Sequence, residues 1–93
     1  MRFIMTNEKK QIITIYIDKM NIGKSNQNLV MRATQEKEPS KNCEKVIDYA
    51  YKLALLIETK ALSPKRERKM CLNLVSACEN YNDELQIFID YSR

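Results

Sequence analysis

The sequence predicts an all-α fold, a small helical bundle in which a short N-terminal helix packs on a long antiparallel helical hairpin. Three observations carry this. The 93 residues include one Gly (Gly23) and two Pro (Pro39 and Pro64), too few chain breakers for the many turns of a β-sandwich or barrel. Hydrophobic residues make up 44% and charged residues 30%, a globular balance. Apolar residues recur at helical spacing along two long stretches. The length accommodates one domain, residues 1–93.

The first helix is expected after Thr6 and Asn7, both good N-cap types, with Ile12, Ile13, Tyr16, Ile17 and Met20 on one side and Gly23 as its stop. A strand competes here, because the β-branched Ile13, Ile15 and Ile17 also alternate. Residues 24–41 are polar and read as a long connection with about one helical turn around Leu29-Val30-Met31. Ser40 or Asn42 caps the second helix, whose stripe is Val46, Ala50, Leu53, Ile57 and Ala61, ending near Leu62. Ser63-Pro64 pairs an N-cap with Pro at the first helical position, the clearest helix start in the chain. The third helix then runs to about Asp90 along Cys71, Leu74, Val75, Cys78, Tyr81, Leu85, Phe88 and Ile89. Its length, about 40 Å at the usual rise, exceeds the width of so small a domain, so its far end is expected to pack on a second copy.

Several chemistries are excluded by counting. There is no His, which removes His-based triads, Cys–His pairs and His acid–base catalysis. A single Gly cannot build a glycine-rich phosphate loop. Cys43, Cys71 and Cys78 form no CxxC pair and read as small core thiols in a reducing cytoplasm. No paired carboxylates stand out, so no enzyme activity, metal or cofactor is expected. No signal peptide or membrane span is visible. The net charge of +4 admits an anionic ligand without requiring one, and DNA is not an expected partner.

Two groupings suit an anionic ligand. Lys60, Lys65, Arg66, Arg68 and Lys69 cluster at the start of the third helix, where free N–H groups and the positive end of the helix dipole already favour an anion. Arg66 and Arg68, two residues apart, cannot both face one pocket. A solvated basic turn is the plainer reading. Tyr49 and Tyr51 stand beside Lys45 and Lys52, a pairing that suits a nucleobase and its phosphate, although tyrosines at the rim of the core would look the same.

The run Leu53-Ala54-Leu55-Leu56-Ile57-Glu58, a short turn, and Pro64-Lys65-Arg66-Glu67-Arg68-Lys69 resembles a family of small phage sponge proteins that defeat CBASS, a bacterial defence driven by cyclic oligonucleotides. In that family a Leu-Ala-x-Leu-Ile-Asp helix runs through a Ser-Arg-Glu-Arg turn into a long helix. Cys71-Leu72-Asn73 falls on its Ala-Leu-Thr run and Tyr81 on its tryptophan, while Met31-Arg32-Ala33 replaces its Tyr-His pair. Ile47 occupies the place of a basic residue for which Lys45 is the nearest substitute. The resemblance implies a helical hexamer in the host cytoplasm that sequesters cyclic dinucleotides, and cyclic trinucleotides as a further class, without cleaving them. Its expected ligand contacts are Lys45, Tyr49, Lys65, Arg66, Arg68 and Asn73. Two alternatives remain open: a bacteriocin-immunity-type bundle, and a phage inhibitor of a host protein.

Overall fold

A computed structural model describes the backbone of residues 6–91 and the side chains of residues 6–87. The described residues form four α-helices: α1 (Asn7–Tyr16), α2 (Lys24–Ala33), α3 (Lys41–Glu58) and α4 (Pro64–Tyr91). No strand occurs among the described residues. The described helices include none long and apolar enough to cross a membrane. The long hairpin is α3 and α4, which pack along their length, while α1 lies on α3 and α2 sits against both.

The ambiguity in the isoleucine run resolves as helix. On a strand Ile13 and Ile15 would share a face; here Ile13 is sealed in the core and Ile15 is 61% exposed. Thr6 caps α1 by accepting from the Lys9 amide at 3.2 Å. The helix does not run on to Gly23. It tightens after Tyr16 into a 3-10 turn, Ile17–Lys19, and the chain then extends at Met20. Gly23 instead precedes α2, with φ +88°, a backbone shape that side-chain-bearing residues rarely adopt.

The expected long connection is corrected: residues 24–33 form α2. Two amides anchor it to the preceding turn. Asn26 Nδ2 donates to the Ile22 carbonyl at 2.8 Å, and Gln27 Nε2 to the Met20 carbonyl at 3.0 Å. Val30 and Ala33 are fully buried and Ile22 nearly so, which attaches the segment to the core. Its polar composition hides these few contacts, and tertiary burial decides the outcome.

Ser40, not Asn42, caps α3, accepting from the Cys43 amide at 3.2 Å. The helix ends at Glu58, short of Leu62, because Lys60 turns into the left-handed region with φ +57°. The Ala61 amide donates to the Leu56 carbonyl at 3.0 Å and the Lys60 amide to the Ile57 carbonyl at 3.2 Å. This is a Schellman closure with lysine at the position glycine usually fills. Ser63 then opens α4, accepting from the Arg66 amide at 3.2 Å. The inner face of α4 is Cys71, Leu74, Ala77, Cys78 and Tyr81, all buried. α4 spans about 42 Å by helical rise, close to the 45 Å long axis of the molecule. Leu85 packs half-buried against the core. Phe88 and Ile89, expected to extend the stripe, lie outside the residues whose side chains are described.

A left-handed residue other than glycine costs about 1–2 kcal/mol. Lys60→Gly relieves that cost and gives back part of it as unfolded-chain freedom. It should therefore raise the thermal midpoint slightly, whereas the β-branched Lys60→Val should lower it. A scanning calorimetry pair reads both, and a midpoint raised by Lys60→Val would contradict the closure.

Candidate functional site

Of the concave surfaces along α4, two lie at opposite ends of the helix and combine polar and apolar groups from more than one element. The first opens where α4 begins. Pro64, Glu67, Arg68, Cys71, Leu72 and Val75 from α4 face Asn21 of the α1–α2 turn across a cavity of about 390 Å³. The Ser63-Pro64 start fixes the phase of the helix, so Arg68 and Cys71 share this side. The cavity combines one guanidinium, one carboxamide and the apolar Leu72 and Val75. Glu67 adds a negative charge to its rim, which weakens the field an anion would meet.

Of the six residues expected to contact ligand, only Arg68 lines this cavity. Arg66 is exposed about 200° around the helix from it. The Arg66 amide is already bonded to Ser63 Oγ, so that donor is not available to an anion. Lys65 is exposed and Asn73 is half-buried outside the cavity. Lys45 sits toward the other end of the hairpin and Tyr49 at the middle of α3. The contact of Asn42 with Glu84 sets the register, and at that register Lys45 is level with Tyr81, roughly 20 Å along α4 from Arg68. Tyr49 is packed against the core and half-buried. One chain therefore does not bring the six together.

The expected tyrosine–lysine pairing does occur, with different partners. Lys9 Nζ lies 5.3 Å from the centre of the Tyr51 ring, and Lys19 Nζ 5.6 Å from that of Tyr16. Lys52 pairs with Asp48 at 3.2 Å.

The second concavity, about 430 Å³, lies between the α2–α3 connection and the C-terminal half of α4. It is built from groups that sequence reasoning missed. Tyr81 is 1% exposed, and its hydroxyl donates to Glu36 Oε1 at 2.9 Å. Ser40 Oγ donates to Glu84 Oε2 at 2.6 Å, and Asn42 Nδ2 to Glu84 Oε1 at 3.2 Å. Arg32 Nε stands 3.9 Å from Glu36. These contacts tie the loop before α3 to α4. Their long-range partners are more than forty positions apart in the chain, so no local spacing announces them. Tyr81 packs as its place on the apolar stripe predicts. Burial first, and then its bond to Glu36, pushes its hydroxyl well above the ordinary phenol range.

The three cysteines are free and buried. Burial pushes the Cys43 and Cys78 thiols from 9.0 up to about 11, with Glu36 adding to the effect at Cys43 and Glu79 at Cys78. Cys71 is raised by the same cause. Thiols held neutral are poor nucleophiles and poor metal ligands. Among the described residues no group of three or more His, Cys, Asp or Glu is arranged to hold a metal ion. No protein-family model, no curated protein and no solved structure matches this chain.

The thiols give a pH dependence. Their folded values lie above the unfolded value of 9.0, so the neutral form stabilises the fold at and below pH 9, and this contribution is lost as pH rises through about 11. The urea midpoint should fall over that interval, and alkylation of Cys43 and Cys78 should be slow at neutral pH until the chain unfolds. Fast labelling of either thiol in the folded protein would contradict the burial.

Proposed function

We propose that this chain is a phage anti-defence protein that binds cyclic di- and trinucleotides and sequesters them uncleaved in the host cytoplasm, as a homo-oligomer. The observation that carries the reading is the cavity at the start of α4. There the second arginine of the Arg-Glu-Arg turn stands beside a carboxamide and two aliphatic side chains. A cyclic nucleotide presents matching chemistry: a phosphate for Arg68, a base edge for Asn21, and a ring face for Leu72 and Val75. Lys65, Arg66 and Lys69, all exposed around the same helix end, add long-range attraction. In this reading Lys45, Tyr49 and Asn73 stand outside the first contacts.

A second reading is favoured by α2. That helix closes the core within one chain, burying Val30 and Ala33 against the hairpin. A bundle complete in itself suits a bacteriocin-immunity-type protein or a phage inhibitor, either of which can act as a monomer on a protein target.

Titration calorimetry with cyclic di- and trinucleotides separates the two. Loss of one charge-assisted hydrogen bond should weaken binding about 10- to 150-fold, so Arg68→Ala should fall in that range while Arg66→Ala should change little. The ligand should be recovered intact. Absence of heat with every cyclic di- and trinucleotide overturns the sponge reading in favour of the protein-binding one.

A further inference from the structure

The outer face of α4 carries a charge pattern that its own chain does not use. Lys65, Lys69, Leu72, Ser76, Glu79 and Asp83 follow one another at alternating spacings of four and three, and Ile87 continues the line. At 100° per residue they fall within roughly 80° of arc, a single seam. All seven are exposed. Two of the three exposed large hydrophobic residues among those described, Leu72 and Ile87, lie on it. The described ion pairs join Arg32 to Glu36 and Lys52 to Asp48, and neither draws on the seam.

The seam is basic at its start and acidic towards its end. Between Met70 and Tyr91 the chain has no Lys or Arg, and between Arg68 and Ala77 it has no Asp or Glu. This order opposes the helix dipole at both ends, where acids at the start and bases at the finish would stabilise an isolated helix. An antiparallel copy of the same helix supplies what is missing at each end.

We infer that the outer face of α4 is a homodimer interface, in which two copies pair antiparallel about a two-fold axis at Ser76. With Ser76 facing its own counterpart, the register is fixed. Lys69 of each copy then lies opposite Asp83 of the other, Leu72 opposite Asn80, and Lys65 opposite Ile87. The small Ser76 side chain lets the helices approach at the axis. The pattern is self-complementary, as an isologous interface must be. In a parallel pairing like charges would meet along the whole seam, so the charge order selects the antiparallel arrangement. Because the pairs are few and solvent-facing, the dimer is weak and salt-sensitive.

The interface needs no nucleotide, so its test is independent of the ligand reading. Sedimentation velocity on the full chain, at high protein concentration and low salt, should show a monomer–dimer equilibrium that shifts to monomer as salt is raised. Lys69→Glu alone and Asp83→Lys alone should each weaken the dimer about tenfold, since either change turns two symmetric attractions into repulsions. The double variant Lys69→Glu/Asp83→Lys should recover most of the loss. Ser76→Cys should cross-link two chains on mild oxidation. All these positions are exposed, and helicity by circular dichroism should stay at the native value. A monomer under every condition overturns the inference. So does a dimer that persists with neither cross-linking at residue 76 nor sensitivity to charge reversal, which would place the contact on another face.

Discussion

The width of the apolar face on α3 governs this fold. Cys43, Val46, Ile47, Ala50, Leu53 and Ala54 are all buried, Ile57 packs along the same line, and Tyr49 and Tyr51 pack at their flanks. Plotted around the helix, the six buried positions alone occupy about 120°, and the flanking residues widen that arc well beyond what a single neighbouring helix covers. Three helices cover it together: α4 is its main partner, and α1 and α2 both pack on it as well. Each owes its position to that requirement. The Asn26 and Gln27 anchors, the Ser40–Glu84 contact and the Tyr81–Glu36 bond then fix the angles at which the connections meet the hairpin.

The same constraint explains which elements are legible in the sequence. α3 and α4 carry long apolar stripes and strong start signals, Ser40 after Pro39 and Ser63 before Pro64, and their periodicity identifies them unaided. α2 is hidden from that kind of reading. Its apolar content is one short patch, and its asparagine and glutamine side chains, which suggest a loop, bond back to carbonyls of the preceding turn. The end of α3 is obscured for a related reason. A glycine would have marked the left-handed residue, but Lys60 occupies it. The backbone tolerates that strain because two closing hydrogen bonds hold it.

Of the candidate site, the part written in adjacent residues is visible in sequence and the part assembled across the fold is not. Arg68 belongs to a local basic run, and that Arg66 must face elsewhere follows from helical geometry alone. Asn21 gives no signal, since its place opposite Arg68 depends on how the α1–α2 turn lands on α4. Glu36, Glu38 and Glu84 look like ordinary solvated acids in sequence, yet the fold gathers them around Tyr81 and Ser40. Tyr49 errs the other way: a tyrosine beside lysines suggests a stacking platform, but it sits against the core.

α4 emerges as a helix with different roles on different arcs. The inner arc, from Cys71 to Tyr81, seals the core against α3. The arc through Arg68 and Cys71 opens on the cavity beside Asn21, the arc through Lys69 and Ser76 remains exposed, and Leu72 stands on the border between the two. A small domain buries only about 60–65% of its unfolded surface, so a helix of this length inevitably presents more face than its own chain can cover. Exposed surface of that kind ordinarily carries both signs of charge interspersed. Along the outer seam the basic residues precede Met70 and the acidic ones follow Ala77, against the preference of the helix dipole, while Glu67, the acid of the first turn, lies off the seam on the cavity rim. A distribution that disfavours the isolated helix at both ends is consistent with charges placed for something outside the chain. Towards the start of α4, the basic end of that distribution borders the cavity where Arg68 stands, so an anion held there and a second copy of the chain would meet the same helix from adjacent sides.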